Sequence, residues 1–191
     1  MENISQSKRV WSTQKITIAA LLTAIGILIP MIMPKWAPTD FASFTLASHV
    51  PIFIAMMISP AVAVAVAVGT TIGFWFSTTP VIALRAASHL VFVIIGGFYL
   101  QMRPETLSSP VRVHVFSFLI AVLHSVCEVA VVSVAYVFGF LAPNFYTAGF
   151  NTVVLLLGVG FVIHSMVDFE IALGVFKALS RQPGFAAMTR K

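Results

Sequence analysis

Charge is what this sequence has least of. Only 9% of its 191 residues are Asp, Glu, Lys or Arg, whereas a soluble domain carries about a quarter. That scarcity excludes a water-soluble globule. With 59% hydrophobic residues it leaves an integral membrane protein, built as one compact bundle. Cysteine is almost missing as well: Cys127 is the only one, which excludes an internal disulfide. There is no G-x-x-x-x-G-K-[ST] phosphate loop, so any step driven by ATP must be powered by another chain. Neither G-x-S-x-G nor H-E-x-x-H occurs, so an intramembrane hydrolase has no recognisable nucleophile or metal set. The start, "MENISQSKRVWSTQK", is polar and basic, and no cleavage site follows the first apolar run. No cleavable signal peptide is therefore expected. The net charge of +5 is no sign of nucleic acid, because the basic residues sit where membrane topology wants them.

What is present is a series of apolar runs. At about 20 residues per crossing, the reading is an all-α integral membrane protein, a six-transmembrane-helix bundle. The expected helices are 16–34, 44–58, 61–77, 81–100, 113–141 and 152–179. They form a single membrane domain over 1–191, with cytoplasmic tails at about 1–15 and 180–191. The second and third are short, and "SP" at Ser59 and Pro60 is read as a tight turn between them. The stretch "AVAVAVAVG", Ala61 to Gly69, alternates with a strand-like period of two. Both alternating residues are apolar, so the period separates no faces, and a lone strand cannot satisfy its backbone in lipid. It is read as helix.

Lys and Arg set the orientation. Lys8, Arg9 and Lys15 precede the first helix, Arg103 and Arg112 lie between the fourth and fifth, and Lys177, Arg181, Arg190 and Lys191 lie at the C-terminal end. With six spans all of these share one side, the cytoplasm, and only Lys35 falls outside. Five or seven spans would scatter them. Trp11, Trp36, Trp75 and Tyr99 fall near span ends, as an aromatic belt requires. Small residues four apart, at Gly69 and Gly73 and at Ala20 and Ala24, allow close helix approach. The glycine pair is read as packing inside the bundle.

Ionisable residues inside these runs default to function. Arg85 and His89, in "LRAASHLVF", lie one helical turn apart on one face. Depth along each helix, at about 1.5 Å per residue, places Arg85, His89, His49 and Glu128 in the outer half. Together they suit one outward-facing cavity. Three readings of Arg85 stand side by side: snorkelling to the interface, a buried pair with Glu128, or contact with a ligand carboxylate or phosphate, which its planar guanidinium matches. His49, His89, His124 and His164 are a metal set by residue type. The depth estimate scatters them, however, and no E-x-x-H ligand pair accompanies them. They are read as packing histidines, with no metal and no cofactor. Asp168 and Glu170, in "HSMVDFE", are assigned to the cytoplasmic half, away from that cavity, with a structural or partner-contact role. "ASH" recurs at Ala47–His49 and Ala87–His89, and "HS" at His124 and His164, each pair 40 residues apart. Their flanks match poorly, so the hint of duplication carries little weight.

Nearly the whole chain resembles a substrate-binding S component of an energy-coupling factor (ECF) vitamin transporter. The likeness rests on six helices in this length, on the basic tail before "KITIAALLTAIGI", and on Ala20 and Ala24 in the first helix. The resemblance implies that Ala20 and Ala24 dock on a coupling transmembrane subunit, and that two cytoplasmic ATPases supply ATP and Mg chemistry. It implies a vitamin site near the outer face, closed by "PKWAPTDFAS", "STTP" and "APNFYTAGFN", and delivery by toppling in the membrane. Expected ligand contacts are Arg85, His89, Glu128 and His49, with Asn144, Tyr146 and Asn151 for hydroxyls or an amide, and Trp75 with Trp36 as covers. Arg85 favours a carboxylate, and the overall look favours pantothenate, then nicotinate. No catalytic residue is expected and the chain is not read as an enzyme. The other readings are a self-sufficient small transporter or channel subunit, and, further off, an intramembrane enzyme.

Overall fold

The computed structural model describes residues 11–39 and 42–189. It is a helical bundle with one small hairpin. Helix α1 spans Thr13–Ile32; strands β1 (Lys35–Thr39) and β2 (Ala42–Thr45) pair antiparallel; α2 spans Val50–Ile58 and α3 Pro60–Ser77. Then follow α4 (Pro80–Met102), a 3₁₀ turn (Pro104–Ser108), α5 (Pro110–Val137), α6 (Pro143–Ala148), α7 (Phe150–Leu179) and α8 (Pro183–Thr189). Five of them, α1, α3, α4, α5 and α7, are long and apolar enough to cross a membrane. Lys8, Arg9, Arg190 and Lys191 lie outside the described residues.

Proline sets most helix starts. Pro60, Pro80 and Pro110 each occupy the first turn, preceded by Ser59, Thr79 and Ser109. Proline has no N–H to leave unpaired there and its φ is already helical. Ser59 Oγ accepts the Val62 N–H at 3.3 Å, and Ser12 caps α1 through the Lys15 N–H at 3.3 Å. The first-turn prolines explain why α3, α4 and α5 begin one to three residues before the expected 61, 81 and 113. The alternating valines belong to α3, with Val62, Ala63, Val66 and Ala67 buried on one helical face.

The expected second span, 44–58, is not one continuous helix. Its first residues pair in the hairpin, Phe44 opposite Trp36 and Thr45 opposite Lys35. A turn follows, in which Ala47 takes a left-handed φ of 65°. The helix that remains has nine residues, about 14 Å of rise against a hydrocarbon thickness of about 30 Å. All nine are buried. Hydropathy registers how apolar a segment is, and this one is apolar because it is the core.

The core around α2 joins Phe53, Met56, Phe92, Phe116 and Phe169. A second cluster holds Phe44, Val132, Val153, Leu157 and Phe161. Outward faces carry large apolar side chains such as Leu21, Leu28, Phe98 and Leu155, as lipid contact requires. The glycine pair on α3 packs inside the bundle: a Cβ at Gly69 would stand 2.6 Å from Thr23 Cγ2, and Gly73 lies against Ile27. Ala20 and Ala24 instead lie on the exposed side of α1, away from buried Ala19, Leu22 and Gly26.

At Gly97 a Cβ would lie 3.1 Å from the Pro60 Cα, a backbone atom with little room to retreat. Gly97→Val is expected to destabilise by about 1–3 kcal/mol, the usual cost of overpacking. Gly174→Val, where a Cβ meets nothing within 4 Å, should leave stability nearly unchanged. Thermal unfolding in detergent compares the two.

Candidate functional site

Two carboxylates inside the bundle organise the site. Asp168, on α7 and 0% exposed, faces the start of α2. Its Oδ1 accepts the Ala47 N–H at 2.8 Å, and its Oδ2 accepts the His49 N–H at 2.9 Å. Oδ2 also lies 3.1 Å from His49 Nδ1. His49 precedes α2 but makes no side-chain cap, so an acid from another helix satisfies the orphan N–H groups there. The positive end of the helix dipole favours that anion. Ser48 Oγ bridges His49 Nδ1 at 3.2 Å and His164 Nε2 at 3.1 Å.

Glu128, on α5 and 1% exposed, is the second. It pairs through Oε2 with Arg85 Nε, and through Oε1 with His89 Nε2 at 2.8 Å. His124 Nε2 lies 3.5 Å from the same Oε1 and 3.3 Å from His89 Nε2. The Arg85 guanidinium lies over the Phe161 ring, 4.9 Å from its centroid. Only Nε of Arg85 is engaged among the described residues, so its terminal nitrogens keep their donors. Of the three readings of Arg85, the pair with Glu128 exists, and it leaves a planar edge of the guanidinium for a further anion.

The histidines are not scattered in depth. Ring centroids stand 4.5 Å apart for His49 and His124, 4.9 Å for His89 and His124, and 5.0 Å for His49 with both His89 and His164. Helices of 23, 28 and 30 residues do not begin in one plane, and α2 begins only after the hairpin. Distance from a helix end is then a poor measure of depth. The same error separated Asp168 from the cavity region; it sits against His49 instead. Glu170, two residues on, is exposed and lies 3.0 Å from exposed His114.

A cavity of about 420 Å³ opens beside this cluster, within the range of small-molecule sites. Arg85, His89, Glu128, His49 and His164 line its polar side. Phe44, Phe74, Ile82 and Phe161 line its apolar side, and the ends of α1, α3 and the hairpin shape its mouth. Four expected contacts, Arg85, His89, Glu128 and His49, thus meet at one cavity. The other four do not line it. Trp75 is 58% exposed; Phe74 faces the cavity, and the next helical residue turns about 100° away. Residues 143–148 fold as α6 against the neighbouring helix ends, where the Tyr146 ring packs at a tilt against Tyr136 and its hydroxyl accepts the Leu141 N–H at 3.3 Å. Asn144 does not reach the lining, and Asn151 is exposed in the first turn of α7.

His164, Asp168, Phe44 and Phe161 were missed as parts of the site, yet a signal existed. "HSVCE" (124–128) and "HSMVD" (164–168) share H-S-x-x-acid, and "ASH" occurs twice. The structure pairs them in parallel: His89 with Glu128, and His49 with Asp168.

The fold and the site together define a multi-pass membrane protein with a polar, small-molecule cavity set into its helices. A curated relative, the niacin transporter NiaX of Lactococcus lactis subsp. cremoris (strain MG1363), is 40% identical over 179 residues, 93% of this chain and 79% of that protein. No family model and no solved structure matches. The chain belongs to that transporter's family, the S components of ECF vitamin transporters, and is a multi-pass protein of the cell membrane.

Removing Asp168 strands two backbone N–H groups and an imidazole. Asp168→Ala is expected to cost about 3–5 kcal/mol, while Glu170→Ala, at an exposed pair, should cost well under about 1 kcal/mol. Unfolding temperatures of the two variants test the difference.

Proposed function

We propose that this chain is the niacin-binding subunit of an ECF importer, with nicotinate as the bound form. What carries the reading is the relative named for niacin together with a cavity that presents an Arg85 edge and imidazoles opposite aromatic walls. Nicotinate is a small aromatic carboxylate. Its anion suits the guanidinium, and its ring suits Phe44, Phe74 and Phe161. Pantothenate, preferred on sequence grounds, has no support from the comparison. It is longer and hydroxylated, and the residues expected to bond its hydroxyls and amide, Asn144, Tyr146 and Asn151, are absent from the lining.

The cavity mouth faces outside on this reading. Arg103, Arg112, Lys177 and Arg181 gather at the opposite end, which is the cytoplasmic side by the positive-inside rule. On this reading the hairpin and α2 together return the chain from the outer to the cytoplasmic side, so six helices leave both termini cytoplasmic, the family's arrangement. Ala20 and Ala24, exposed on α1, form a small-residue surface for a coupling subunit. Two ATPases bound to that subunit supply the energy, and the loaded chain topples to release its ligand inside. The chain itself has no catalytic role.

Calorimetric titration with nicotinate, nicotinamide and pantothenate is expected to show tight binding of nicotinate and none of pantothenate. Arg85→Ala should weaken nicotinate roughly 30-fold or more, the cost of about 2 kcal/mol or above for an unpaired buried charge. Unchanged affinity would assign Arg85 to the Glu128 pair alone.

Ala20→Trp or Ala24→Trp should abolish co-purification with the coupling subunit and ATPases while nicotinate binding survives. Full uptake by the chain reconstituted alone would overturn the importer reading.

A further inference from the structure

We infer that His49, His89, His124 and Glu128 form a binding site for one divalent transition-metal ion. The four residues come from the start of α2, from α4 and from α5, and each offers a ligand atom within 4.8 Å of all the others. All four are buried. Three of the ligand atoms form a tight triangle. His89 Nε2 and Glu128 Oε1 are 2.8 Å apart, the two Nε2 atoms 3.3 Å, and His124 Nε2 and Glu128 Oε1 3.5 Å. A tetrahedral ion with bonds of about 2.0–2.1 Å separates its ligands by roughly 3.3 Å, so the triangle is already close to one face of such a site.

Hydrogen bonding accounts for this triangle less well. Each neutral imidazole carries one N–H. If both Nε2 atoms donate to Glu128, their mutual 3.3 Å approach is unbonded; if one donates to the other, it has no proton left for the carboxylate. A metal ion takes all three lone pairs at once. His49 adds the fourth from an oriented ring. Its Nδ1–H points to Asp168, which leaves the lone pair on Nε2, the carboxylate–histidine–metal arrangement of known sites. Arg85 on the outer oxygen of Glu128 orients that carboxylate in the same way. Three imidazoles with one carboxylate select zinc, cobalt or nickel rather than magnesium or calcium. His49, His164 and Asp168 also cluster, but there the polar atoms are already joined to one another and to Ser48.

Charge points the same way. With neutral imidazoles, Arg85 offsets Glu128, and Asp168 beside His49 leaves the buried cluster with a single net negative charge. That negative charge opposes the attraction of Arg85 for a nicotinate anion. A divalent ion reverses the sign and makes the loaded site neutral. This last point rests on the nicotinate reading; the ligand geometry does not.

The test uses full-length protein, purified without a histidine tag, stripped with chelator and titrated with Co²⁺. One equivalent per chain is expected, with the intense visible bands of a four-coordinate ion, displaced by Zn²⁺. His124→Asn, whose residue lies outside the cavity lining, should lower Co²⁺ affinity by roughly 100-fold or more, beyond the 10–100-fold typical of outer-shell losses. His114→Ala, at an exposed histidine far from the cluster, should leave it unchanged. Absence of the bands, or bands that survive His124→Asn, would overturn the site. X-ray absorption on the unmodified protein decides even if the variant does not fold: it must show scattering from at least two imidazoles. Nicotinate titration of the same wild-type sample reports separately on the transport reading, so either can fail alone.

Discussion

Asp168 holding the Ala47 and His49 N–H groups just before α2 is the contact on which the rest of the architecture hangs. A nine-residue helix that starts inside the bundle has an unsatisfied, partly positive end where water cannot help. One carboxylate from α7 sits at that end and takes the Ala47 and His49 N–H groups and the His49 imidazole together. That anchor fixes the turn that leads from the hairpin into α2, and with it where His49 sits. His49 in turn brings α2 beside His89 on α4 and His124 on α5. Glu128 repeats the device one helix away, gathering Arg85, His89 and His124. Neither acid is isolated in an apolar medium, which is the condition for keeping an ionised group there.

The parts of this fold that were legible in the sequence are those that lipid dictates. The alternating valines of 61–69 had to be helical, since lipid leaves no other partner for their backbone, and they lie in α3. The glycine pair facing α1 followed from a similarly general constraint, the close approach of helices in lipid, whereas the Arg85–Glu128 pair was one of three arrangements the sequence left open. What escaped was whatever depends on one segment meeting another. Phe44 and Thr45 look as apolar as a helix start, and only their pairing with β1 makes them strand. Trp75 and Phe74 are neighbours in sequence but lie on different sides of α3. Asp168 seemed remote because depth was measured from helix ends that do not align. The repeated "ASH" and H-S-x-x-acid stretches held the missing information, as two matched acid–histidine pairs 40 residues apart.

The cavity combines two kinds of wall in a way that suits a flat, charged solute. Phe161 serves both: it lies beneath the Arg85 guanidinium and closes the apolar side. A ring entering between Phe44, Phe74 and Phe161 meets the remaining guanidinium donors at its edge. Glu128 holds Nε, so the guanidinium is oriented before any ligand arrives. A pre-oriented cation loses less freedom on binding than a mobile one. Membership of a vitamin-transporter family agrees with a cavity of small-molecule size.

The position of α2 has a mechanical consequence. Directly below the imidazoles, Phe53, Met56 and Phe92 are completely or almost completely buried and packed together. The site is a cup with a solid floor, not a stretch of a tunnel. A molecule taken in at the mouth can leave only by the mouth while this packing holds. Opening a path through the base would require separating Phe53, Met56 and Phe92, whose contacts are among the most buried in the core.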